Sequence, residues 1–137
     1  MIKDFSAHGE YQLQYDGNII YFSIIGAWNK EASDRFLTLT EQCFSDLKGQ
    51  KIIIIADTSN FEGGIEEAYP LWAESISSWS IKGLTHFIRV DDVNSGRYQI
   101  FVKSLDDQIK EDITLCFVEN FEDAIEQAHQ LGFNGFD

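Results

Sequence analysis

Basic residues are scarce. The 137-residue chain carries ten Lys and Arg against 23 Asp and Glu, a formal net charge of −13, and the ten bases are scattered singly. Such a negative field repels phosphate backbones and anionic headgroups, so nucleic acid and membrane surfaces are disfavoured as partners. Cysteine is scarce too. Cys43 and Cys116 both sit in apolar stretches, which predicts buried free thiols rather than a disulfide framework. Long hydrophobic runs are missing: in the strand regions the longest, Ile52 to Ala56, is far short of the ~20 residues that span a bilayer. Met1-Ile2-Lys3-Asp4-Phe5 lacks the apolar run and cleavage site of an export signal, so the expected location is the cytoplasm. Linkers, internal repeats and low-complexity tracts are absent as well, and residues 1–137 are expected to form one domain.

What is abundant is apolar and aromatic mass. Hydrophobic residues make up 44% of the chain, with eleven Phe, three Trp and five Tyr, far from the composition of chains that stay disordered. From Glu10 to Tyr15 the pattern alternates, Tyr11, Leu13 and Tyr15 against Gln12 and Gln14, which predicts a half-solvated strand. Asp16-Gly17-Asn18 is a tight-turn signal, and the almost wholly apolar Ile19 to Ile25 completes a hairpin. After Gly26-Ala27-Trp28, Asn29 is suited to cap a helix because its side-chain oxygen accepts from an orphaned backbone N–H. Ala32, Phe36, Leu39, Cys43 and Leu47 step in threes and fours, predicting a helix that stops at Gly49.

Four consecutive isoleucines within Lys51 to Asp57 predict a strand covered on both faces, at the centre of a parallel sheet. Past Gly63-Gly64, the spacing of Ile65, Tyr69, Trp72, Ile76 and Trp79 predicts a second helix, which must start near Tyr69 or kink at Pro70. Leu84 to Val90 is the next strand. Ser95 then caps a helix carrying Tyr98, Phe101, Val102 and Leu105, and Ile113 to Val118 is the last strand. Asn120-Phe121-Glu122-Asp123 resembles a capping box with Asp where Glu or Gln is usual. Ala124, Ile125, Ala128 and Leu131 form a final helical stripe that Gly132 ends. The order β-β-α-β-α-β-α-β-α predicts an α/β fold, an antiparallel hairpin followed by four βα units in a mostly parallel five-stranded sheet.

Three stretches add local texture to that order: Ile19-Ile20-Tyr21-Phe22-Ser23-Ile24-Ile25-Gly26, Ile53-Ile54-Ile55-Ala56-Asp57-Thr58-Ser59 and Phe121-Glu122-Asp123-Ala124-Ile125. Together they resemble the STAS domain, also called the SpoIIAA-like fold, of bacterial anti-sigma factor antagonists and related regulators. The resemblance spans nearly the whole chain and implies a βα superhelix acting as a non-enzymatic regulatory or protein-interaction module. Ordinary members carry a phosphorylatable serine in an Asp-Ser-Ser-Gly motif at the start of the helix after the third strand. Here that stretch reads Phe61-Glu62-Gly63-Gly64-Ile65-Glu66. It has no hydroxyl, so the serine switch does not carry over, and the likeness is to the divergent branch of the family.

Loops that follow parallel strands gather on one edge of a sheet, where open α/β folds bind ligands. Trp28, Asn29, Asp57, Thr58, Ser59, Asp91, Asp92, Glu119 and Asn120 are expected there. Their oxygens are of a kind that holds Mg²⁺ or Ca²⁺, and equally of a kind that caps helices and meets water; no metal or cofactor is expected. Asp57 also has the position of a phospho-accepting aspartate in a receiver domain, although Glu119 follows the last strand where a receiver has lysine. Gly63-Gly64 lacks the Lys-Ser or Lys-Thr of a phosphate-binding loop and reads as a flexible turn. His8, His86 and His129 show neither metal-ligand spacing nor a nucleophile partner, so no catalytic residue is expected.

Trp72 and Trp79 share a helical face with Tyr69, a stripe that is either core or the lining of an apolar ligand site. Consecutive βα units place their helices on one side of the sheet. That leaves the other side in need of cover, because a few hundred Å² of bare apolar sheet costs several kcal/mol at about 25 cal/mol per Å². Docking of a helix, a second subunit or an apolar ligand would supply that cover, and a homodimer, a protein partner or a small ligand is expected. From Asp106 onward nine acids face one base, Lys110, so a basic partner fits. A small-molecule carrier and a receiver-like phosphoacceptor at Asp57 are the alternative functions.

Overall fold

The structure, a computed structural model, describes residues 9–137; His8 and the stretch Met1 to Phe5 lie outside them. Strand β1 (Glu10–Asp16) pairs antiparallel with β2 (Ile19–Ile25), and β3 (Ile52–Asp57), β4 (Leu84–Val90) and β5 (Thr114–Val118) follow in parallel. The five-stranded sheet has the consecutive order β1-β2-β3-β4-β5, which puts the isoleucine run of β3 at its centre. Helix α1 (Lys30–Asp46) links β2 to β3, and α2 (Tyr69–Trp79) links β3 to β4. The β4–β5 connection holds two short helices, α3 (Gly96–Phe101) and α4 (Lys103–Ile109), and α5 (Phe121–Gln130) follows β5.

Local chemistry accounts for the element ends. Asn29, Ser95 and Asn120 each accept a backbone N–H of the helix they start, from Ala32 at 3.0 Å, Tyr98 at 3.0 Å and Asp123 at 2.8 Å. The Asp123 carboxylate does not reach back to the cap backbone as a longer Glu does; it accepts from the Asn120 side-chain amide at 3.2 Å. Pro70 lies in the first turn of α2, where its missing N–H costs nothing, and a 3-10 turn over Glu66–Ala68 leads into it. In α1 the buried stripe runs through Ser33, Phe36, Leu37, Thr40 and Phe44. Leu39, expected to belong to it, is 41% exposed because at 100° per residue it sits about 115° from the centre of that stripe. The helix expected after Ser95 breaks at Val102, which caps α3 and α4 at once.

Both faces of the sheet are covered, and of the covers expected for the second face, a helix, a subunit or a ligand, it is a helix of the chain itself that packs there. Ile20, Phe22, Ile52, Ile54 and Phe87 pack on one side with Phe36 of α1, Trp72 of α2 and Leu105 of α4. On the other side Ile19, Ile53, Ile55, Ile88 and Val90 pack under Ala124 and Ala128 of α5 and under Phe133. Among the described residues no strand follows α5, so it is not held to the crossover side and packs on the opposite face. The chain beyond it is then clipped to the hairpin. Asn18 N–H donates to the Asn134 carbonyl at 3.0 Å, and the N–H groups of Asn134 and Phe136 donate to the side chains of Asn18 at 2.9 Å and Asp16 at 2.8 Å. A Cβ on Gly135 would lie 2.0 Å from the Asp16 carbonyl oxygen, so only glycine allows that approach. Cys43 is buried and Cys116 only partly so, both as free thiols.

Candidate functional site

The ends of β3, β4 and β5 meet where parallel topology requires. Ser59, Asp91, Asp92, Asn94, Phe117 and Glu119 line an open cleft of about 490 Å³ there. Thr58, only 1% exposed, donates its hydroxyl to Asp91 Oδ2 at 2.5 Å. The other Asp91 oxygen takes the Asp92 N–H at 2.7 Å and an ion pair from Arg97. Arg97 in turn donates to the carbonyls of Thr58 at 2.7 Å and Phe61 at 3.3 Å, so one guanidinium ties the β3 loop to the β4 loop. Asp57 is half-buried, and its Oδ1 accepts both the N–H and the hydroxyl of Ser59, at 2.9 and 2.6 Å. These carboxylates are spent holding the loops in place. Among the described residues no three His, Cys, Asp or Glu side chains are grouped to hold a metal ion.

Two residues expected on this edge are used elsewhere. Trp28 tucks into the core against Phe36 at 5.5 Å and donates Nε1 to the Ile25 carbonyl at 3.1 Å. Gly26 makes that possible by taking φ of 76° and turning the chain back. Asn29 spends its side-chain oxygen on α1. Gly63-Gly64 is neither a phosphate cradle nor a loose turn. Trp28 N–H donates to the Gly63 carbonyl at 2.8 Å, and a Cβ on Gly64 would meet the Trp28 carbonyl oxygen at 1.9 Å, so the glycines let two backbones touch.

The aromatic stripe of α2 is core. Trp72 stacks on Phe36 at 5.7 Å, and Trp79 stacks between Phe44 and Phe87, each at 6.1 Å; Tyr69 stands at the surface. The space between the two indoles and the sheet amounts to about 10 Å³, room for a water at most. The two described histidines make structural contacts: His86 packs edge-on against Phe133 at 5.5 Å, and His129 Nε2 lies 2.8 Å from the Gly135 carbonyl oxygen.

A buried network that sequence reasoning missed adjoins the cleft. Arg89 of β4 and Asp106 of α4, each 2% exposed, form an ion pair. Arg89 Nε donates to both carboxylate oxygens at 3.1 and 3.2 Å, and the Tyr98 hydroxyl donates to Asp106 Oδ2 at 2.7 Å. The guanidinium lies 4.8 Å from the Phe87 ring centroid. Burial, then the Asp106 bond, pushes the Tyr98 hydroxyl well above the ordinary phenol range. The signal was present in the sequence: an arginine inside the apolar strand Leu84–Val90 needs a buried acid, and Asp106 lies four residues before Lys110 on the next helical segment. Above this network a second open cleft of about 610 Å³ runs between α4 and β5, lined by Lys103, Asp107, Lys110, Leu115 and Phe117 among others.

The acids of the last third of the chain do not form one patch. Asp106 is internal, and Asp107 lies between Lys103 at 3.0 Å and Lys110 at 3.2 Å, which hold its carboxyl below the usual range. Glu122 and Asp123 sit in the first turn of α5, where the helix dipole favours them. No described helix is long and apolar enough to cross a membrane. Compared with protein-family models and with curated proteins, the chain finds no match.

Proposed function

We propose that this chain is a non-enzymatic, STAS-like protein-interaction or regulatory module that presents the ends of β3, β4 and β5 to a protein partner. One observation carries the reading: Asp57, Thr58, Ser59, Asp91 and Arg97 of that edge are committed to bonds within its own loops. Asp91 serves Thr58, Arg97 and the Asp92 backbone at once, so it acts as a brace for two loops rather than as a base awaiting a proton. The edge is thereby a preformed surface, which lowers the ordering cost of docking. The antiparallel opening pair and consecutive strand order support the STAS-like part of the proposal, since element order is what the resemblance rests on. Asp92 and Glu119 at the rim, within a chain of net charge −13, favour a basic partner. A cytoplasmic setting agrees with two unpaired thiols.

A photo-crosslinking residue placed at Ser59 and, as control, at Lys48 on the opposite end of the sheet tests this in the native cell. The expected result is a discrete adduct with a protein from position 59 and none from 48. No adduct from position 59, or the same adducts from both, overturns the reading.

A further inference from the structure

We infer that the outer edge of β5 takes up an extended segment of a partner protein by strand addition, the segment carrying apolar side chains along its middle and Lys or Arg at the end that lies beside Glu119. This rests on the interaction-module reading and specifies its binding mode. Among the described residues strand β5 is the last of the sheet and pairs only with β4. Asp91 N–H donates to the Val118 carbonyl at 3.4 Å, which fixes the Val118 peptide groups toward β4. Because peptide groups alternate along a strand, those of Leu115 and Phe117 point outward. Among the described residues nothing bonds to them.

Phe117, 46% exposed, lines both the α4 cleft, of about 610 Å³, and the strand-end cleft, of about 490 Å³, so an added strand would run past both. The charge along this edge is lopsided. At the start of β5, Lys103 and Lys110 bracket Asp107. At its end Asp92 and Glu119 have no cation beside them among the described residues, while Arg97 is committed to Asp91. Charge complementarity therefore places the basic end of the guest by Glu119. It also argues against a second copy, which would bring two chains of net charge −13 together through an edge with acids at its end. Main-chain pairing supplies affinity in this mode, and alternate side-chain pockets supply selectivity.

The test uses the full chain and three synthetic ten-residue amidated peptides: Val-Lys, with alternating Val and Thr followed by three Lys at one end, Gly-Lys, with Gly in place of each Val, and Val-Glu, with Glu in place of each Lys. Binding is read by calorimetry and by amide hydrogen exchange. The Val-Lys peptide is expected to slow exchange at Leu115 and Phe117 and to bind more than about tenfold tighter than the equally charged Gly-Lys peptide, with Val-Glu not binding. Phe117→Pro removes an outward N–H without touching the β4 ladder, as an edge strand tolerates, and should weaken Val-Lys more than about tenfold. The exposed Glu119→Lys should weaken it without any backbone change. Equal binding of the Val-Lys and Gly-Lys peptides, unchanged exchange at Leu115 and Phe117, or full affinity in Glu119→Lys overturns the proposal. So does a concentration-dependent dimer that protects the same two amides. A Ser59 adduct alongside unprotected β5 amides sinks strand addition alone and leaves the module reading standing.

Discussion

Trp72 and Trp79 lie one above the other on α2 and are 2% and 1% exposed, yet their indole N–H groups have opposite fates. Trp72 Nε1 donates to the buried Ser33 hydroxyl at 2.9 Å. Trp79 Nε1 is the one buried side-chain nitrogen or oxygen without a partner among the described residues. Replacing either by phenylalanine removes the N–H and a similar volume of ring, so the packing penalties nearly cancel in the comparison. The polar consequences do not. At position 72 the variant loses a buried hydrogen bond and strands the Ser33 hydroxyl, a cost of about 1–3 kcal/mol, whereas at position 79 it relieves a donor already left unpaired. Trp72→Phe should therefore destabilise by about 2 kcal/mol more than Trp79→Phe. With a urea dependence of about 1–3 kcal/mol per M for a domain of this size, the two midpoints separate by about 1 M. Far-ultraviolet circular dichroism is the readout, since the fluorophores themselves are changed. Adding Ser33→Ala to Trp72→Phe should recover part of the loss and give a coupling of about 1 kcal/mol in a double-mutant cycle. Coincident midpoints, or a Trp79→Phe variant less stable than Trp72→Phe, would refute the assignment of the two indoles.

Gly64→Ala should cost more than about 3 kcal/mol in urea unfolding, because the new Cβ meets the Trp28 carbonyl oxygen at 1.9 Å with φ at 98°. Arg89→Met strands the Asp106 carboxylate in the core and should cost about 3–5 kcal/mol, most of it recovered on adding Asp106→Leu. Tyr98 titrates above its ordinary value of 10.0, so the folded state holds its proton more tightly than the unfolded state. That contribution is complete below pH 10 and is lost as pH climbs above it. Between pH 10 and 11.5 the stability of the wild-type chain should fall more steeply than that of Tyr98→Phe, by up to about 1.4 kcal/mol per pH unit; parallel profiles would count against the Tyr98–Asp106 bond.

Strands and caps were legible in the sequence because their causes are local. Four isoleucines in a row leave no polar face, and Asn29, Ser95 and Asn120 each stand one residue before a helix whose orphan N–H they meet. Leu39 was misplaced because a step of three from Phe36 fits a helical stripe on paper, whereas the true stripe advances through Leu37 and Thr40. Trp28 was misplaced because nothing local reveals that Gly26 turns the chain inward. The Arg89–Asp106 pair joins residues 17 apart, and only the break at Val102, with no proline or glycine to announce it, sets Asp106 opposite the arginine. The cover of the second sheet face was hidden for a similar reason. Ala124 and Ala128 are small, and their stripe names no target until Phe133 and the clip at Gly135 anchor the helix over β2 to β4.

That cover changes where apolar surface is left for a partner. With α1, α2 and α4 on one face and α5 on the other, the two sheet edges are what the described residues leave open, and an open edge is a template for another strand unless it is blunted. Strand β1 is blunted: Glu10, Gln12, Gln14 and Asp16 alternate along it, all exposed, and Asp16 is occupied by the Phe136 N–H. Strand β5 carries no charge between Thr114 and Val118, and its partly or well exposed Leu115 and Phe117 stand beside grooves. Selection against aggregation works against such an edge in a chain that never uses it. Under the strand-addition proposal the acids at its end, Asp92 and Glu119, serve as gatekeepers between like chains and as the attraction for a basic strand.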